Sequence, residues 1–205
     1  MKFYFRIFIV LIVLFLVGNG CWGRKTYTYF FTWTGIDTEK VLVSPSGKYF
    51  VYDKTDNSSF LPGTFGMLVY FKGELLKDET SASGFGLITP ACATSVPKDD
   101  YVVLDSVSHI RIAASADFDE EHPAGSDISE YFNSIWAGKL YPADEMIDYV
   151  INCTRYSKNS LDESYFLSLR ESPALGEVYR FEITAILKSG RELTCSTGEI
   201  SLLKP

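Results

Sequence analysis

Histidine is scarce in this chain, with only two copies, and there is no excess of basic residues. Nineteen Lys and Arg face 26 Asp and Glu over 205 residues, for a net charge of −7. Phosphate neutralisation needs the opposite balance, so nucleic-acid binding is excluded. No two of the four cysteines have a C-x-x-C spacing, which removes zinc-ribbon and thioredoxin readings. There is no H-E-x-x-H pair, no G-x-S-x-G elbow and no G-x-x-x-x-G-K-[ST] phosphate loop. No cofactor is expected, and the missing signatures favour a non-enzyme. Past the N-terminus no apolar stretch is long enough to cross a bilayer. Internal repeats and low-complexity runs are also missing.

What is present begins with residues 1–20, MKFYFRIFIVLIVLFLVGNG. Lys2 and Arg6 precede Ile7–Val17, an unbroken apolar run of 11 residues. As a helix it would reach only about 16 Å, against about 30 Å of hydrocarbon core. That length fits a signal h-region. Gly18, Asn19 and Gly20 then lead into Cys21. An apolar run, small residues and a cysteine resemble a bacterial lipoprotein signal, although Gly18 stands where such signals usually carry Leu. The resemblance implies cleavage before Cys21, acylation of its thiol and amine, and stable anchoring through two or more chains. Ordinary secretion is the alternative, since Gly18 and Gly20 also suit signal peptidase. Residues 1–20 are thus expected to be a signal peptide, 21–25 a lipid-attached linker and 26–205 a single domain. If Cys21 is acylated, Cys92, Cys153 and Cys195 remain. Any one pair among them is possible, and so is none.

Aromatics make up 15% of the chain, and β-branched and aromatic clusters recur along it. Strands are predicted at Thr26–Trp33, Val41–Ser44, Tyr49–Tyr52, Phe65–Phe71 and Phe85–Thr89, with a turn at Pro45-Ser46-Gly47 and a connection over Pro90–Asp100. Val102–Ala114 is the longest strand predicted. Its Ser108, Ile110, Ile112 and Ala114 should face inward, and Val107, His109, Arg111 and Ala113 outward. Ile128, Tyr131, Phe132, Ile135 and Trp136 have helical spacing, with Ser126 or Asp127 as cap and Gly138 as terminator. A second helix should start at Pro142. Further strands fit Tyr165–Leu169, Val178–Leu187 and Glu192–Leu203, the last two joined by a turn at Lys188–Arg191. The expected fold is mostly β: an antiparallel, immunoglobulin-like β-sandwich with one or two inserted short helices.

Asp117, Asp119 and Glu121 alternate in the way that lets a loop offer oxygens to calcium. A calcium loop needs Gly at its sixth position and Glu at its twelfth; here those are His122 and Ile128. A solvated acidic loop is the preferred reading, and no metal is expected. Cys92 with His122 is the nucleophile–base pair worth testing, but nothing local positions them. Acidic pairs such as Asp99-Asp100 and Glu120-Glu121 would need a cleft to act as glycosidase carboxylates. Trp33, Trp136, Tyr27, Tyr29 and Tyr131 could stack on sugars; core packing is preferred because all lie at strand or helix periods. Two N-x-[ST] sequons begin at Asn57 and Asn152. Asp105-Ser106-Val107 is similar to an O-glycosylation signal of Bacteroides-type envelope proteins, making Ser106 the candidate acceptor.

Phe65-Gly66-Met67, Gly84-Phe85-Gly86-Leu87 leading to Ala91-Cys92, the stretch Ser108–Phe132 and the closing YRFEITAILKSGRELTCSTGEISL together resemble Bacteroides-type envelope lipoproteins of unknown function. The resemblance spans nearly all of the chain after Cys21. It implies a lipid-anchored envelope protein and supplies no ligand or catalytic residue. Such proteins tend to carry an acidic surface-export signal after the cysteine. Here Trp22, Gly23, Arg24 and Lys25 follow, so the periplasmic face of the outer membrane is favoured over the cell surface. The expected role is a non-catalytic binding or structural accessory with a protein or glycan partner. A carbohydrate-binding accessory of a glycan-uptake system and a cryptic hydrolase are the alternatives.

Overall fold

A computed structural model describes residues 26–46, 49–61, 63–81, 100–152, 163–170, 173 and 178–203. Cys21, Cys92, Cys153 and the strand expected at 85–89 lie outside the described residues. The chain divides into two compact units, and the larger comprises Phe30–Leu76 and Tyr101–Pro205. In the smaller unit the described residues are strand ends at 26–29, 77–81 and 100.

The larger unit is mostly β. In chain order the described strands are β1 (Thr26–Ser46), β2 (Tyr49–Lys54), β3 (Ser59–Phe60), β4 (Phe65–Ser81), β5 (Asp100–Val103) and β6 (Val107–Ala114). Then come β7 (Phe132–Trp136), β8 (Lys139–Pro142), β9 (Glu163–Leu169), β10 (Val178–Tyr179), β11 (Phe181–Leu187), β12 (Glu192–Ser196) and β13 (Ile200–Leu202). One sheet runs β2-β1-β4-β9-β7-β8, with β5 paired to β1. A second runs β12-β11-β6, and a third β10-β13-β3. The registered pairings are antiparallel, as expected, except β13 with β3, which is parallel.

The long sheet uses both faces. Met67, Val69, Leu167 and Tyr165 share one face through the register Met67↔Leu167 and Val69↔Tyr165, and all are buried. On that side Phe65 stacks on Phe181 of β11 with centroids 5.4 Å apart, and Phe132 meets the same ring edge-on at 5.6 Å. Aromatic packing thus joins the long sheet to the three-stranded one. The opposite face curls. Tyr52 of β2 stacks on Phe166 of β9 at 4.6 Å, although β1 and β4 lie between those strands. β2 and β8, the two ends of the order, come into contact. The half-barrel so formed is filled by Val41, Val43, Leu68 and Phe166. Gly66 has no side chain because there is no room for one: a Cβ there would lie 2.7 Å from Val43 Cγ2 and 3.0 Å from the Leu167 carbonyl.

Three expectations need correction. The helix predicted from Ile128 to Trp136 is a 3-10 turn, Ser129–Tyr131, followed by β7. Apolar residues at 128, 131, 132, 135 and 136 fit a helix, but β-pairing to β9 prevails through Phe132↔Leu169 and Ser134↔Leu167. Gly138 does not end a helix. It follows Ala137 in the two-residue turn of the β7–β8 hairpin, where both have positive φ, 50° and 76°. Finally, the strands expected at 102–114, 178–187 and 192–203 are each broken in two, between β5 and β6, β10 and β11, and β12 and β13. The second helix is present as the turns Ala143–Met146 and Ile147–Val150. Asn152 docks it: its side chain accepts from Val107 N at 2.9 Å and donates to Val107 O at 2.7 Å.

Candidate functional site

The chemistry-bearing side chains gather around the outer face of the β12-β11-β6 sheet and the loop that leaves β6. Ile110 and Ile112 are fully buried, and His109 and Arg111 stand on the other face, as the alternation predicts; it fails at the start of β6, where the register shifts beside Ile186 and Leu187 and Val107 is buried while Ser108 is exposed. Register places Arg111 beside Thr184 and Ala113 beside Glu182, with Ser196 on the far side of Glu182. The loop after Ala114 folds back along β6. Gly125 N–H donates to Ala114 O, Ile128 N–H to Ile112 O, and Asp127 bridges Ala113. Gly125 has φ +85°, a conformation that suits glycine at this reversal. Phe118 pins the loop from inside: it is 2% exposed and lies 4.7 Å from the Tyr131 ring.

The acidic loop residues serve this fold-back. Asp119 Oδ1 accepts from Glu121 N–H at 2.9 Å, from His122 N–H at 2.8 Å, and lies 2.8 Å from His122 Nδ1. Its Oδ2 accepts from Tyr131 Oη at 2.8 Å. Asp117 Oδ1 accepts from Ala124 N–H at 2.8 Å. Two of the three carboxylates that a calcium loop would use, Asp117 and Asp119, thus accept from the loop's own donors, and no group of three His, Cys, Asp or Glu that could hold a metal is found among the described residues. Partial burial disfavours the charged Asp119, but hydrogen bonds from Tyr131, His122 and the two backbone amides outweigh it and hold its pKa near 2. The bond to Asp119 raises the pKa of His122 against its own desolvation, and the charges of Asp119, Glu130 and Glu121 add to the rise.

Both histidines stand between two carboxylates. His122 has Asp119 on Nδ1 and Glu130 on Nε2, the latter at 3.3 Å. His109 has Asp144 on Nδ1 at 2.6 Å and Asp127 on Nε2 at 3.7 Å. Among the described residues the ion-pair partners of both histidines are acidic side chains. Cys92, proposed for His122, lies outside the described residues.

Beside this network a cavity of about 470 Å³ opens at the end of β6. Arg111, Ser115, Gly125, Arg180, Glu182 and Ser196 are among its lining residues. The Nε of Arg111 is buried and has no hydrogen-bond partner among the described residues. Arg180 N–H donates to Ser115 Oγ at 2.9 Å, while its guanidinium lies 3.7 Å from Glu199 in an exposed pair. Sequence reasoning placed Arg111 outward but missed Arg180, Glu182 and Ser196. They come from β11, its approach and β12, and only register brings them beside β6.

The remaining candidates scatter. Ser106 is half-buried between β5 and β6, and its carbonyl accepts from Lys188 N–H at 2.9 Å. Of the aromatics, Trp33 and Tyr29 are buried and Tyr131 is bound to Asp119, so the preferred core and packing reading holds for these three. Trp136 is 40% exposed, and the side chain of Tyr27 lies outside the described residues. Among the described residues no helix is long and apolar enough to cross a membrane.

A family model, DUF5034, a domain of unknown function, matches residues 80–198. No curated protein matches the chain, and no solved structure matches it. The matched span exceeds half of the chain and contains both histidines, the fold-back loop and the arginine-lined cavity, and the chain therefore belongs to the DUF5034 family.

Proposed function

We propose that this protein is a lipid-anchored lipoprotein of the bacterial cell envelope that works as a non-catalytic binding accessory. The carrying observation is the order of features at the N-terminus: Lys2 and Arg6, the apolar run Ile7–Val17, small residues, then Cys21. Acyl chains on Cys21 would tether the β-rich body at the outer membrane, on its periplasmic face. We retain the immunoglobulin-like sandwich as part of the proposal. The contacts of Phe65 and Phe132 with Phe181 support it, because they join two sheets face to face. The outer face of the β12-β11-β6 sheet, with its cavity, is then the surface offered to a ligand.

The test is metabolic labelling with radioactive palmitate in a bacterial host, comparing the native chain with Cys21→Ala. Label in the native chain and none in the variant is expected. An unlabelled native chain would overturn the anchor.

A second reading, a carbohydrate-binding accessory, is favoured by one observation: Trp136, at the β7–β8 hairpin, is an exposed member of the candidate sugar platform. A glycan array separates it, with retention of a neutral glycan that Trp136→Ala abolishes as its signature.

A further inference from the structure

We propose that the cavity at the end of β6 binds a small carboxylate whose neighbouring groups donate hydrogen bonds, with Arg111 as its principal contact. This deepens the binding-accessory reading by naming a ligand class, and it rests on that reading but not on the lipid anchor.

The argument starts from Arg111. It is half-buried and lines the cavity, and its Nε is enclosed by protein with no hydrogen-bond partner among the described residues, so a ligand would meet the guanidinium through its terminal amino groups. The cavity it lines has a volume of about 470 Å³, which suits a small organic molecule. A guanidinium presents its N–H groups as a planar fork that matches the two oxygens of a carboxylate. Arg180 adds a second cation on the wall. Its pairing with Glu199 is long, at 3.7 Å, and exposed at both ends, so a ligand can displace it at little cost. Ser115 Oγ already accepts from Arg180 N–H, which leaves its own O–H to donate into the cavity.

Glu182 decides the rest. Its exposed carboxylate lines the same cavity, opposite Ala113 of β6. A compact dianion such as phosphate would meet repulsion there. A carboxylate flanked by hydroxyl or ammonium donors would satisfy Arg111 and Glu182 together. An acidic sugar and a free amino acid share this chemistry.

The test is isothermal titration of the full chain in detergent at fixed ionic strength, with D-glucuronate, L-alanine, D-glucose and inorganic phosphate as probes. Saturable binding of glucuronate or alanine is expected, weakened about tenfold or more in Arg111→Gln. Arg111→Lys should lose much of it too, because charge remains but the fork does not. Arg180→Gln is the second variant should Arg111→Gln fail to fold, and it too should weaken binding. Binding of glucuronate alone assigns an acidic sugar, and of alanine alone an amino acid. The proposal is overturned if neither carboxylate binds, if D-glucose or phosphate binds as tightly, or if the folded arginine variants bind like the native chain. Palmitate labelling is independent of this result, so each reading can fail without the other.

Discussion

His122 Nδ1 lies 2.8 Å from Asp119 Oδ1, and the same carboxylate accepts from Tyr131 through its other oxygen. One side chain thereby ties the middle of the loop that folds back along β6 to the turn Ser129–Tyr131. The pair should make stability depend on pH in a defined window. Asp119 is depressed from 3.8 to about 2, so its contribution is present above 3.8 and is lost as pH falls toward 2. His122 is raised above 6.5, so its contribution is full below 6.5 and is lost as pH climbs through the raised value. The pair works best between those limits. Urea midpoints of native chain and Asp119→Asn across pH 3 to 9 check this. The native advantage should peak between pH 4 and 6.5 and shrink on either side; a constant gap would contradict the pairing.

Gly66 carries the close approach of β4 and β1 in the half-barrel. Gly66→Ala would place a methyl 2.7 Å from Val43 Cγ2 and 3.0 Å from both Val41 Cγ2 and a backbone oxygen of β9. Overpacking of this kind costs about 1–3 kcal/mol. Denaturant unfolding should show the midpoint reduced with its slope unchanged. Val43→Ala in the same background should recover part of the loss, because it removes the nearest clash.

Ala137 occupies a left-handed conformation, φ 50°, beside Gly138 in the β7–β8 turn. An L-residue with a plain Cβ is disfavoured there by about 1–2 kcal/mol, whereas Asn-Gly is the preferred pair for such a turn. Ala137→Asn should therefore raise the melting temperature, and scanning calorimetry can read the shift. An unchanged or lowered temperature would contradict the turn geometry.

Burial pushes the Cys195 thiol up to about 12, and the charge of Asp37 adds to the rise. At pH 8 almost none of it is thiolate, the reactive form. In the native protein Cys195 should resist iodoacetamide at that pH and become labelled in denaturant, as peptide mass mapping would show. Rapid native labelling would contradict the raised pKa of this half-buried thiol.

Local signals made part of this molecule legible. The alternation in β6 gave the inward isoleucines and the outward His109 and Arg111, and Gly190 with its positive φ marks the β11–β12 turn. Where one pattern serves two structures, the sequence misled. Apolar spacing at 128–136 fits a helix as well as a turn and strand, and Gly138 suits a helix end as well as a hairpin. The site was less legible than the fold. Asp119 and His122 are three residues apart, a local pairing open to inspection. His109 and Asp144 are 35 apart, and Arg111 meets Arg180 and Ser196 only through strand register. Those encounters follow from tertiary pairing, which spacing along the chain does not encode.

The most direct test of the envelope assignment is the intact mass of the chain purified from a bacterial host. A polypeptide beginning at Cys21 and carrying the added mass of its acyl groups is the predicted result. A chain that retains Met1–Gly20, or that begins at Cys21 with a bare thiol, would contradict it.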